Sequence, residues 1–258
     1  MDYTQQNAKM IDDWVEKGWE WGVPISHEVY INAQNGKWDV LLTPTKPVPH
    51  EWFSPFLKDG NFLGARLLGL ASGGGQQMPV FAALKADCTV LDFSDRQLDN
   101  ERMVARREGY EIDVVKGDMA KKLPFPDENF DVIFHPVANS YVEDVYHVWN
   151  ECFRVLKRGG ILLSGMDNGF NFLFDDDSRP RVIKNRLPFN PLRNPDQYKK
   201  LSESGDGFQF SHTLEEQIGG QLKAGFVLTD VYEDFNSDPQ SIADGIPAFW
   251  ATRSRKPL

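Results

Sequence analysis

Residues Arg66–Leu84 read RLLGLASGGGQQMPVFAAL. The apolar run at the start predicts a buried strand, and the residues after the glycines predict a helix. Pro79 falls near that helix's first turn, where a missing N–H costs little. A strand, a glycine-rich turn and a helix in this order hold a nucleotide-bearing ligand at the helix N-terminus. Gly73, Gly74 and Gly75 let the backbone approach a ligand closely and adopt positive φ. A purely structural tight turn is the competing reading, and three glycines alone do not decide.

Outward from this stretch, strands alternate with helices. Cys88–Phe93 (CTVLDF) is a β-rich run ending in an acid, and Ser94 or Asp95 can cap the helix that follows, which stops before Gly109. Glu111–Asp118 predicts a third strand and Phe130–Pro136 a fourth, stopped by proline. Val145, Val148, Trp149, Cys152, Phe153 and Leu156 recur at helical spacing, with Gly159 as a left-handed cap. Gly160–Met166 predicts a fifth strand. Thr213 and Glu216 form a capping box before another helix, and Phe226–Asp234 and Ala248–Pro257 read as closing strands. Strands separated by helices imply a parallel sheet with right-handed crossovers. Ligands in such sheets bind beyond the strands' carboxyl ends. The glycine turn, Asp92, Asp118 and His135 all fall at such ends and should line one crevice.

Bulk properties narrow the class. The chain has 258 residues, 41% of them hydrophobic, enough for one α/β domain with elaborations. No apolar run approaches the ~20 residues that span a bilayer. The start, MDYTQQNAKMIDDW, has no secretory pattern, and Cys88 and Cys152 read as core thiols, so the expected location is cytoplasmic. No cysteine and histidine spacing suggests a metal site. A net charge of −10 disfavours nucleic acid or anionic lipid as partner.

Two regions break the alternation. Residues 1–60 hold Trp14, Trp19, Trp21, Trp38 and Trp52, with helical character near Ala8–Lys17. They read either as a packed extension or as a lid on the domain at 61–258. Residues 167–211 form an insertion, long and aromatic enough to be a substrate cap. It carries the acids Asp175–Asp177, then Arg179, Arg181, Lys184, Arg186, Arg193, Lys199 and Lys200. That basic span (179–200) is either a solvated, internally paired loop or a contact for an anionic substrate.

Asp92 lies 19 residues after Gly73, where a carboxylate can accept both hydroxyls of a ribose. Asp118 can accept from an exocyclic amine of a base, with Met119 as a soft face for the ring. Separately, Asp92 could cap a helix and Asp118 could close a turn; together with the glycines they describe an adenosine site. Met78 stands where a dinucleotide fingerprint needs its third glycine, which weakens NAD or FAD, and no phosphate-loop motif is present.

These residues resemble the class I S-adenosylmethionine-dependent methyltransferases, of the type 11 branch. LLGLASGGG is similar to that family's first motif and VLDFSDRQL to its second. VKGDMAKKLPFPDENFDVIF is similar to the third and fourth, and ECFRVLKRGGILL to the helix–turn–strand that follows. The resemblance implies a Rossmann-like doubly wound sheet of strand order 3-2-1-4-5-7-6 with strand 7 antiparallel. It implies S-adenosyl-L-methionine as cofactor, held by Tyr30, Ala71, Ser72, Gly73, Gln76, Asp92, Phe93, Gln97, Asp118, Met119 and His135. Two positions depart from the family: Gly69 stands where an acid is usual, and Ala71 where a glycine is usual. Gln76, Gln77 or Tyr30 can stand in for the missing acid.

The resemblance also implies in-line displacement of a methyl from a sulfonium. The protein then supplies alignment and a dry crevice, with a base only for a nucleophile that must lose a proton. His135 and Tyr141 are the leading candidates for that role, with Asp167 and His212 behind them. For His135 a hydrogen-bonded structural histidine is the competing reading. Asn139 and Ser140 are placed to orient a substrate. The expected acceptor is a small molecule. An RNA or protein acceptor, or a non-catalytic cofactor-binding protein, remain as alternatives.

Overall fold

The computed structural model describes residues 2–174, 182–204, 207–238, 243 and 245–258. The first strand, β1, spans Arg66–Leu70 and is followed by α3, Gln77–Ala83; α1 (Tyr3–Glu16) and α2 (His27–Gln34) precede them. Then come β2 (Asp87–Asp92), α4 (Asp95–Glu108), β3 (Asp113–Lys116), β4 (Phe130–His135), α5 (Val145–Val155) and β5 (Leu156–Asp167). The chain closes with α6 (Pro195–Ser204), α7 (Gly220–Ala224), β6 (Val227–Asp234) and β7 (Phe249–Arg255). The strands pair in the order β3-β2-β1-β4-β5-β7-β6. β1 is parallel to β2 and β4, and β7 runs antiparallel to both its neighbours. The order and the reversed seventh strand are those implied by the resemblance.

Local chemistry accounts for the boundaries. Ser94 caps α4 by accepting from the Gln97 N–H at 3.1 Å, and Gly109 ends it at φ +75°. Thr213 and Glu216 bond reciprocally as a capping box, although the turn they open is a π-turn over Glu215–Gly219 before α7. One expectation fails. Gly159 is left-handed (φ +76°) but does not cap a helix: α5 ends at Val155 and passes directly into β5, where the Gly159 N–H donates to Lys256 O. The C-terminal residues thereby extend the sheet's pairing over a turn that looked like a helix end.

Apolar side chains bury both faces of the sheet. One face packs α5 and Trp149 over Leu68, Leu70, Ile133 and Leu162. The other packs residues from the chain's first 60 (Tyr30, Trp38, Leu42, Trp52 and Phe53) over Leu67, Val90, Val132 and Leu163. The contact is close: a Cβ on Gly165 of β5 would lie 2.0 Å from the Leu42 carbonyl oxygen. The residues before Pro24 behave differently. There α1 lies across the start of α4, with Asp12 accepting from Ser94 Oγ (2.6 Å) and the Arg96 N–H (3.0 Å), and Arg96 paired to Glu16. Cys88 and Cys152 are buried free thiols. No helix among the described residues is long and apolar enough to cross a membrane. Asp175–Asp177, Arg179 and Arg181 lie outside the described residues.

Candidate active site

Two cavities open beyond the carboxyl ends of the strands and meet at Val137, Ser140 and Phe249. The first, about 240 Å³, is lined by Ala71, Ser72, Gly73, Gln76, Asp92, Phe93, Gln97 and Tyr141, and roofed by Trp19, Trp21, Thr43 and Pro44. The glycine turn builds its floor. Gly74 and Gly75 take φ of +100° and +71°, which a side chain would strain. Gly73 has a different reason to be glycine: a Cβ there would lie 2.7 Å from Gln97 Cβ and 3.0 Å from Asp92 Oδ2. Ala71 adopts φ +48°, a left-handed conformation where the family's glycine would be at ease.

Asp92 holds two turns at once. Its Oδ2 accepts from the Gly73 N–H (3.1 Å) and its Oδ1 from the Ser94 N–H (3.0 Å). Burial raises its pKa to about 6 despite these donors. Behind the loop, fully buried Glu101 accepts from the Gly75 N–H at 2.7 Å. Burial pushes it up to about 8, which favours its neutral form. Sequence reading missed Glu101, because its bond spans 26 residues and no local pattern announces it.

Asp118 repeats the Asp92 arrangement. Its Oδ1 accepts from the Ala120 N–H (2.9 Å), while Oδ2 has no hydrogen-bond partner among the described residues, with Lys121 Nζ at 3.6 Å. It lines a third cavity with Phe93, Lys116 and the α1 residues Ala8 and Asp12. Phe93 therefore bridges the Asp92 and Asp118 pockets. Buried Ser72 Oγ and Gln97 Oε1 also lack partners among the described residues. Orphaned polar atoms around a glycine cradle, with acids on either side of an aromatic ring, fit an adenosine-bearing cofactor. Among the described residues no cluster of three or more His, Cys, Asp or Glu can hold a metal ion.

Three expected site residues lie elsewhere. Tyr30 is buried in the core and stacks on Tyr110, ring centroids 5.7 Å apart. Met119 is buried among the α5-side core residues. His135 is fully buried, with Nδ1 at 2.9 Å from Leu70 O and Nε2 at 2.9 Å from Asn139 Oδ1, edge-on to Trp149. β4 is central and covered on both faces, so its last side chain turns toward α5 rather than into the crevice. Burial lowers the His135 pKa. With both nitrogens engaged, it anchors the Asn139–Tyr141 turn. His212 does the same from another side, its Nε2 at 3.0 Å from Asn139 O. Tyr141 does line the first cavity, and burial with the nearby Asp167 and Asp92 carboxyls pushes its pKa up, so it stays protonated.

Met78 and the two glutamines explain the departures at the first motif. A Cβ on Gly69 would lie 2.6 Å from Met78 Sδ, so Met78 occupies the space of the family's acid. Gln76 Nε2 donates to Glu20 O and Val23 O, and Gln77 Oε1 accepts from the Leu41 N–H. The glutamines fasten the N-terminal residues to the rim of the glycine turn.

The second cavity, about 580 Å³, has walls from Trp14, Phe172, Phe174, Phe189 and Phe249. Asp167 and Asn171 line it, as does Lys200 from the basic span. Of the other described basic residues there, Arg193 pairs with Glu143 and Lys199 with Glu203.

Comparison with known proteins agrees with this geometry. A family model described as "Methyltransferase domain" matches residues 68–164. The chain is 48% identical over 233 residues to the Bacillus subtilis (strain 168) protein named uncharacterized methyltransferase YbaJ, covering 88% of this chain and 89% of that one. It is 27% identical to the sterol 24-C-methyltransferase erg6 of Aspergillus fumigatus, over 72% of this chain but 45% of that one. Among solved structures, an S-adenosylmethionine dependent methyltransferase from Mesorhizobium loti superposes with a TM-score of 0.59. It is 21% identical over 78% of this chain and 93% of that chain, a likeness of fold.

Proposed function

The chain belongs to the S-adenosylmethionine-dependent methyltransferases, and from that premise we propose that it methylates a small-molecule acceptor. The cofactor supplies a methyl already bonded to a good leaving group. The protein's own work is therefore to bind, align and exclude water. Asp92 would take the ribose hydroxyls, Phe93 and Asp118 the base, and Ser72, Gln97 and the Gly73 backbone the remaining polar groups.

One observation carries the acceptor's size. Trp19, Trp21, Thr43 and Pro44 roof the cavity beside Asp92, and the neighbouring cavity is walled by aromatic side chains. Concave chambers of this size with aromatic walls suit a small molecule. The net charge of −10 also disfavours an RNA acceptor, whose phosphates call for clustered Lys and Arg. The test is transfer of labelled methyl from S-adenosylmethionine into cell extract separated into small molecules, RNA and protein. Label is expected in the small-molecule fraction. Label confined to RNA or protein overturns the proposal.

A further inference from the structure

The strand-end aspartates share one construction. Asp92 and Asp118 each use Oδ1 to close a turn onto the N–H two residues ahead. Asp167, at the end of β5, does the same with the Gly169 N–H at 2.8 Å. In each case the second oxygen is left for something else. Asp92 Oδ2 meets the glycine turn; Asp118 Oδ2 lacks a hydrogen-bond partner among the described residues, and so does Asp167 Oδ2.

Asp167 is 6% exposed and lines the second cavity. A buried carboxylate oxygen without a donor is costly, and such groups in folded proteins are normally satisfied. Asn171 Oδ1, on the same cavity, is a second buried acceptor lacking a partner among the described residues. On the same wall Gln197 Nε2 donates to Asn185 Oδ1 and Asn185 Nδ2 to Phe172 O, and Lys200 and Gln209 also line the cavity. Two buried acceptors on this cavity, Asp167 Oδ2 and Asn171 Oδ1, therefore call for donors. Aromatic rings make up much of the remaining wall, with Phe172 and Phe189 stacked at 5.6 Å and Trp14, Phe174 and Phe249 also lining the cavity. Flat rings favour such walls.

Resting on the methyltransferase reading, we infer that this second cavity is the acceptor site, and that it takes a flat aromatic molecule whose reacting oxygen or nitrogen carries a proton. Asp167 Oδ2 and Asn171 Oδ1 receive the donor hydrogens and fix the heteroatom. The junction at Val137, Ser140 and Phe249 then opens onto the cavity beside Asp92.

The probes are 2-naphthol, 2-aminonaphthalene and 2-methylnaphthalene, which share one ring system and differ in donors. Each is titrated by ligand-observed NMR into protein saturated with S-adenosylhomocysteine, whose own binding is measured first by calorimetry. 2-Naphthol or 2-aminonaphthalene should bind about tenfold or more tightly than 2-methylnaphthalene, the worth of one hydrogen bond to a charged group. Asp167→Leu should abolish that preference while S-adenosylhomocysteine still binds, which shows that the variant is folded. Phe172→Ala should weaken all three probes together. Failure to bind S-adenosylhomocysteine strikes at the methyltransferase reading. Normal S-adenosylhomocysteine binding with no probe bound, or with equal affinity for the three, overturns the acceptor assignment alone.

Discussion

The two halves of the crevice are built by the same device and read very differently. On the cofactor side, Asp92 and Asp118 lie at the ends of neighbouring strands, and the glycine turn lies beside them. On the acceptor side, Asp167 ends β5, but its surroundings come from α1, the insertion after β5 and β7. The glycine turn and the acids of the cofactor half come from within about 50 positions of one another (Ala71 to Ala120), and only its outer wall is drawn from distant segments such as residues 19–44 and 136–141; the acceptor half has no such local set and draws on positions 10 to 249. Regular alternation places the first set at strand ends whatever the loops do. The second set depends on how irregular segments fold back, which periodicity does not encode.

The largest effect tests whether Asp167 does chemistry as well as binding. A hydroxyl acceptor must lose its proton as its oxygen takes the methyl, and on the proposed acceptor assignment Asp167 Oδ2 would receive that proton. Burial raises Asp167 to about 6, close to the operating range of a general base. Asp167→Asn is expected to lower kcat by ~10²–10⁴-fold with S-adenosylhomocysteine affinity retained. Steady-state kinetics on an accepted substrate, paired with calorimetry, checks this. A matching loss of cofactor affinity would merge the two halves that the comparison separates.

Glu101 sharpens the cofactor half through stability. Its folded pKa, about 8, is raised above the ordinary carboxyl value because burial favours the neutral form. The folded state therefore holds a proton that the unfolded state releases, and stability falls as pH climbs from about 4.5 towards 8. Glu101→Gln keeps an acceptor for the Gly75 N–H and removes the titration. It should match wild type near pH 4.5 and exceed it by something on the order of 3 kcal/mol at pH 8. Urea unfolding at both pH values measures the gap; a gap that does not widen with pH assigns Glu101 an ionised state.

Asp92→Ala comes next, with an expected loss of roughly 1.5–3 kcal/mol in S-adenosylhomocysteine affinity. Donors from a bound ribose favour the charged carboxylate. Wild-type affinity should therefore fall as pH drops through about 6. Calorimetry from pH 5 to 8 follows both effects, and a flat profile with full affinity in the variant would remove Asp92 from the site.

What the sequence revealed follows the same divide. The glycine turn, the Ser94 cap and the acids at 92 and 118 were legible because each is a local pattern on a regular element. His135 misled, since its strand-end position says nothing of which face its side chain takes; burial of β4 on both sides decided that. The N-terminal tryptophans looked like one segment and are two. Trp38 and Trp52 belong to the core, while Trp14, Trp19 and Trp21 line cavities. Nothing in composition separates them, because the Leu42 carbonyl seated on Gly165 is a contact across more than a hundred residues.

The smallest effect is expected at Ala71, where the cofactor half departs from its family. A left-handed alanine costs about 1–2 kcal/mol against the same residue in ordinary backbone. Glycine there releases that strain but adds freedom to the unfolded chain, worth about 0.4–1 kcal/mol. The Ala71 N–H bond to Leu91 O, at 2.8 Å, survives the change. Only a methyl group against the α5-side core is lost. Ala71→Gly should therefore raise stability by no more than about 1 kcal/mol and leave S-adenosylhomocysteine binding nearly unchanged. Such tolerance is what a locally encoded turn predicts, since the loop's shape comes from its own backbone and from Asp92. A stability loss beyond about 1 kcal/mol, seen in thermal unfolding, would mean that the methyl is held by packing from distant segments. The cofactor half would then be built like the acceptor half.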